Sequence, residues 1–232
     1  MKKLLLALLI AFSTTLLASA QSYSNPLIDR AWKLNQEGTA LLAKGDANKL
    51  YTQAQDTEGI IGTQINQAQA LQALGFYRQA SLSLQTVNTK LQQQPNSPLK
   101  VRGLYSLGTA LKSLRVLEKK GDNLGAIATL KQALKIADSI GDRDTADKIK
   151  LSLGNTIQLL GTDRYPEASE LYQQLQSSKL PLVKVQAQIN LYKLQSAQNI
   201  APNTLEFINQ IDKELGAIEP SRKTIYAYVN LA

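Results

Sequence analysis

The 232-residue chain contains no cysteine and no histidine. Without cysteine there are no disulfides, no thiolate nucleophile and no lipidated amino terminus. Without histidine there is no Ser-His-Asp triad and no imidazole acid or base, and the two absences together remove the usual zinc sites. Catalysis could run only on carboxylates, Lys, Tyr or Ser, and no cofactor or metal site is expected. Aromatics are also scarce, with one Trp and three Phe against a hydrophobic content of 44%. A core must therefore be assembled from Leu, Ile and Ala, whose modest size lets helices pack closely, and the length suffices for one sizeable helical domain.

What is present begins with residues 1–20. Lys2-Lys3 precede an apolar run over 4–12 that continues through Leu16-Leu17, and Ala18-Ser19-Ala20 has the small-x-small form of a cleavage site. Ser13-Thr14-Thr15 interrupts a stretch already short for spanning a bilayer. The expectation is a signal peptide cleaved after Ala20, delivery to the periplasm or beyond, and no integral membrane segment afterwards. Cleavage leaves 24 basic and 18 acidic residues. Residues 21–89 carry five of each sign and 151–232 seven of each, so the excess lies in 90–150, with twelve basic and six acidic residues.

Residues 104–137 organise the remainder. Leu104, Leu107, Leu111, Leu114 and Leu117 recur at three and four residues; Gly121-Asp122 interrupts, and Ile127, Leu130, Leu134 and Ala137 resume the period. This predicts an antiparallel helix pair. Further pairs are expected over 58–74 with 77–93, 145–160 with 166–176, and 182–198 with 203–215. A helix over 27–44, a short one over 47–54 and an incomplete final helix from Arg222 complete the chain. Superimposing Ile65-Asn66-Gln67-Ala68, Tyr105-Ser106-Leu107-Gly108, Leu151-Ser152-Leu153-Gly154, Ile189-Asn190-Leu191-Tyr192 and Val229-Asn230-Leu231-Ala232 gives steps of 40, 46, 38 and 40 residues. Such steps fit a helix-turn-helix repeat, in which no pair buries its apolar stripe without neighbours. Gly38 begins a compressed earlier copy, and Gly45, Gly75 and Gly161 each fall seven residues after the small position, opening the turn.

Leu-Gly at 107–108 and 153–154, with Gly75-Phe76-Tyr77-Arg78-Gln79-Ala80, resembles tetratricopeptide repeats. The resemblance covers most of 31–232, after a lead-in over 21–30, and implies an all-α, right-handed solenoid of about five helix pairs whose last repeat is incomplete. The wording from Asp56-Thr57-Glu58-Gly59 through Ala73-Leu74-Gly75 is similar to the amino-terminal repeat region of secreted bacterial, chiefly cyanobacterial, proteins that carry a CHAT domain. That protease-like domain needs His and Cys and is absent here, so no peptidase activity carries over; an ending in mid-helix suggests a shortened relative or a truncated reading frame. In tetratricopeptide repeats the first helix of each pair lines a concave groove. Carrying those positions over gives Gln69 and Gln72, then Arg102, Tyr105, Thr109 and Lys112, then Lys148, Asn155 and Gln158. This groove would be polar and centrally basic, suited to an acidic protein or peptide partner, and export argues against nucleic acid.

Other patterns have plainer readings. Ser97-Pro98-Leu99-Lys100 spells the S-x-x-K of penicillin-interacting serine enzymes, but no Ser-Asp-Asn or Lys-Thr-Gly partner exists. Asp142, Asp144 and Asp147 suit a helix start better than a cation loop, lacking the Gly and closing Glu of a calcium hand. Glu167 and Glu170 share one face of a helix start, where the dipole stabilises acids. Lys112, Arg115 and Lys119 form a basic stripe, with Lys131 and Lys135 on the next helix. The function read from all this is a non-catalytic exported scaffold; the alternatives are a carboxylate-based cell-wall lytic enzyme and a nonfunctional remnant of a longer CHAT protein.

Overall fold

The computed structural model describes residues 51–118 and 122–231. The expected signal peptide, lead-in, helix over 27–44 and the Gly38 copy lie outside them, as do Lys119, Gly121 and Ala232. From Thr57 onward the chain forms α1 (Thr57–Ala73), α2 (Tyr77–Gln92), α3 (Pro98–Glu118), α4 (Asn123–Ser139), α5 (Arg143–Ile157), α6 (Tyr165–Gln174), α7 (Pro181–Ala197), α8 (Thr204–Gly216) and α9 (Arg222–Leu231).

Helix starts follow local chemistry. Asp56, Asp122 and Asp142 accept from the backbone N–H of Gly59, Gly125 and Thr145, meeting donors that the first turn leaves without an intrahelical partner. Asn203 caps α8 in the same way, with Pro202 just outside it. Gly75 (φ 87°) and Gly161 (φ 123°) take up conformations that a Cβ disfavours, letting the chain reverse between paired helices. Before Gly161 the last turn tightens into a 3₁₀ segment, Gln158–Leu160, so α5 ends three residues short of the sequence expectation.

Consecutive helices pack as antiparallel pairs, and the first members also touch in succession: α1 on α3, α3 on α5, α5 on α7, α7 on α9. This makes an inner layer of α1, α3, α5, α7 and α9, backed by an outer layer of α2, α4, α6 and α8. Apolar residues of both layers form the core, from Ile61, Ile65, Leu84 and Leu91 at one end, through Leu104, Leu130, Ile149 and Tyr172, to Val185, Ile189, Ile211 and Leu215 at the other. The small residue of the repeat sets the spacing within a pair. A Cβ on Gly108 would lie 2.7 Å from the Leu130 side chain, and one on Gly154 would lie 2.7 Å from the Tyr172 ring. Glycine at these two places admits a large side chain of the outer helix into the inner one. In the next copy the register puts Tyr192 at this position. It stacks on Phe207 with ring centroids 4.1 Å apart, and both rings border a cleft of about 190 Å³ lined in part by Gln188, Gln195 and Gln210.

Candidate inner-face site

All nine residues predicted for the groove fall on the inner layer or at its end: Gln69 and Gln72 on α1, Arg102, Tyr105, Thr109 and Lys112 on α3, Lys148 and Asn155 on α5, and Gln158 in the 3₁₀ turn that follows. They are not equally available. The Nε2 of Gln69 donates to Ser106 Oγ at 2.9 Å and that of Gln72 to the Ser106 carbonyl at 2.7 Å. Arg102 donates to Asn66 Oδ1 at 3.0 Å. Tyr105 packs on the central core, and its hydroxyl lies 3.2 Å from Ser152 Oγ. The Oδ1 of Asn155 accepts from both the Tyr172 hydroxyl and Asn190 Nδ2, each at 2.7 Å, and Thr109 donates within its own helix to the Ser106 carbonyl. Most of the predicted polar positions therefore join one repeat to the next.

The sequence reading passed over the other half of these joints. Asn66, Ser106, Ser152 and Asn190 occupy one column of the repeat, the position after Ile65, Tyr105, Leu151 and Ile189. Each receives or meets a polar side chain from an adjacent inner helix. The signal was a short polar residue at the same place in each of these copies, directly after an apolar or aromatic one. Buried polar groups must be paired, so a column of short hydrogen-bonding side chains fixes how far one inner helix slides along the next.

Three cations remain for the inner surface. Arg102 and Lys148 stand at equivalent positions one step of 46 residues apart, and Lys112 is equivalent to Gln158. Arg102 and Lys112 are half-buried, and burial pushes both below the ordinary values for their groups. Neither meets a carboxylate among the described residues. Lys148 is exposed, and its charge helps lower the Lys223 ammonium of α9, after burial as the larger cause. The inner face thus carries positive charge from α3 across to α9.

Outer-layer charges behave differently. Lys131 pairs with Glu167 at 3.3 Å, bridging α4 to α6, while Gln92 and Gln132 join α2 to α4 at 2.9 Å. Glu167 also accepts from Arg164, the leading cause of its lowered pKa, and Lys131 adds to it. This carboxylate is held ionised by neighbours, the opposite of what a general acid needs. Asp142 is a cap, as expected, but Asp147 accepts from the Ser178 hydroxyl at 2.6 Å and so ties α5 to the chain entering α7. The S-x-x-K pattern resolves into structure: Ser97 Oγ accepts from the Lys100 N–H at the start of α3, and buried Lys100 Nζ donates to the Gln94 carbonyl at 2.9 Å. The Arg115 and Lys119 side chains lie outside the described residues. Among those residues, no helix is long and apolar enough to cross a membrane, and no group of three acidic side chains is placed to hold a metal ion.

Stacked helix pairs with an inner layer of first helices define a tetratricopeptide-like α-solenoid. Among solved structures the chain is similar to TPR-like repeats described for a kinesin light chain of Podosopora anserina, with a TM-score of 0.57 and 17% identity over 84% of this chain and 96% of that one. At that identity the likeness is one of fold. No family model matches the chain, and no curated protein matches it by sequence.

Proposed function

We propose that this chain is an exported, non-catalytic scaffold holding an acidic segment of a protein or peptide partner along its inner face, over Arg102, Lys112 and Lys148. The observation that carries the reading is the pair Arg102 and Lys112, partly desolvated cations with no carboxylate against them among the described residues. Desolvating an uncompensated charge costs stability, and an anionic partner would offset that cost. A tetratricopeptide-like fold is in general a protein-interaction scaffold, which agrees with this reading. Export rests on the sequence of residues 1–20. Intact mass of the exported protein should show a chain beginning at Gln21, and retention of Met1 in a membrane-held protein would reverse that expectation.

The site itself is tested by Lys112→Met, which keeps most of the aliphatic volume and removes the charge. Because burial lowers the folded-state pKa of Lys112, the ammonium is disfavoured in the fold below that pKa, and the penalty fades as the pH rises through the lysine range. The variant should therefore melt higher than the parent near neutral pH and lose that advantage at alkaline pH. At the same time it should bind an oligoglutamate peptide less tightly. A variant that melts lower and binds the peptide as before would make Lys112 a structural residue and remove the basis of the proposal.

A further inference from the structure

The cleft bordered by Tyr192 and Phe207 is neutral in its lining but one-sided in its hydrogen bonding. Among the described residues that line it, none is charged. Gln176, on the 3₁₀ turn Leu175–Ser177 that closes α6, donates its Nε2 to the Tyr172 carbonyl at 3.1 Å. Gln210 of α8 donates its Nε2 to Glu214 Oε1 at 3.0 Å, and Gln188 of α7 reaches the same oxygen at 3.5 Å. A carbonyl and a carboxylate only accept, so each amide has its nitrogen end fixed and its oxygen left over. None of the three oxygens meets a donor among the described residues, and that of Gln188 is itself buried, which is rare for an unpaired acceptor. The 3.5 Å contact holds the Gln188 amide loosely and its last torsion is broad, so this oxygen can turn to a donor in the cleft.

We infer that this cleft binds a guanidinium group. Carbonyl oxygens left over on three elements call for a ligand with several N–H donors, and two features favour a positive one. Glu214 stands behind Gln188 and Gln210, and a carboxylate that accepts from an amide polarises it, making the amide oxygen more negative. Lys184 lies 4.0 Å from the other Glu214 oxygen, at the outer limit of an ion pair, so it offsets this charge only in part. The cleft also sits at the carboxyl end of α6, where a helix favours positive charge, while the amino end of α8 is already capped by Asn203. Charge alone would admit an ammonium. The stacked rings at the border decide for the planar guanidinium, which lies on aromatic faces and spreads its donors in a fork. Size agrees, because about 190 Å³ is below the about 300–1,000 Å³ of clefts that hold drug-sized ligands, and leaves room for one such group on a short stem. An arginine side chain of a peptide and a free alkylguanidine offer the same group. This site takes a cation where the inner face takes an anion, so neither reading rests on the other.

The test is calorimetric titration of the full chain with butylguanidinium, butylammonium and the neutral butylurea. Butylguanidinium should bind several-fold more tightly than either of the others. Gln188→Met with Gln210→Met, which keeps side-chain length and removes two of the amides, should weaken it several-fold at unchanged helicity. Glu214→Gln, which serves also where the double variant loses helicity, should weaken butylguanidinium and leave butylurea as it was. An acetyl-Gly-Arg-Gly-amide peptide that binds more tightly than butylguanidinium would assign the site to an arginine side chain, and one that binds less tightly to a free guanidine; either supports the site. Equal binding of the three probes, no binding of butylguanidinium at millimolar concentration, or binding that survives both the double substitution and Glu214→Gln would each overturn the proposal.

Discussion

Replacing Tyr172 with Ala is expected to lower the unfolding free energy by about 3–5 kcal/mol, the range for removing a large, fully buried side chain. Tyr172 is 0% exposed, and its ring lies against Gly154, which has no side chain with which to fill the space on that side. The hydroxyl is a smaller matter. Burial raises its pKa, so it stays protonated and donates to Asn155. Asn155 also accepts from Asn190, so Tyr172→Phe leaves no orphaned acceptor and should cost only about 1 kcal/mol. Urea denaturation of the two variants gives the comparison. In a repeat protein each unit is stabilised mainly by its neighbours, so faster amide exchange should concentrate in α5–α7 and spare α1 and α2. A loss near 1 kcal/mol for both variants would mean that the Gly154–Tyr172 contact does not hold the second half of the solenoid together.

The spacing of apolar residues predicted the helix pairs because every pair buries one stripe of each helix, a one-dimensional fact that survives in sequence. Asp142 was readable for a similar reason, since its partner is three residues away. The joints were not readable: Gln69 meets Ser106, Tyr105 meets Ser152 and Asn155 meets Asn190 across 35–47 residues, and which groove residue bonds to a neighbour depends on how two inner helices are phased. The register placed Tyr105 and Asn155 on the inner layer. Only the structure shows the Tyr105 hydroxyl and the Asn155 carbonyl oxygen turned toward neighbouring helices. Tyr192 is the reverse case. The alignment of copies already displayed an aromatic where Ala68, Gly108 and Gly154 stand, but its stack on Phe207 is a contact that periodicity does not encode.

The largest expected effect on function is that of reversing the two half-buried cations, Arg102→Glu with Lys112→Glu. An acidic segment lying over them would lose two attractions and gain two repulsions in a partly desolvated site. Like charges brought together at an interface cost several kcal/mol, and each 1.4 kcal/mol is a factor of ten in affinity. Removing cations from the contact should also flatten the dependence of binding on salt. The matched control is Lys131→Glu with Lys135→Glu on α4, where Lys131 pairs with Glu167 in the outer layer. It makes the same change in net charge away from the inner face, so a bound acidic segment would sense it only through screened, longer-range repulsion. The decisive measurement is the affinity of an oligoglutamate peptide for both double variants and the parent over a salt series, with helicity checked by circular dichroism. Binding at the inner face predicts a loss greater than tenfold and a shallower salt slope for Arg102→Glu/Lys112→Glu, with at most a small loss for Lys131→Glu/Lys135→Glu. Equal losses in the two variants, at unchanged helicity, would contradict it and assign the binding to a diffuse basic surface.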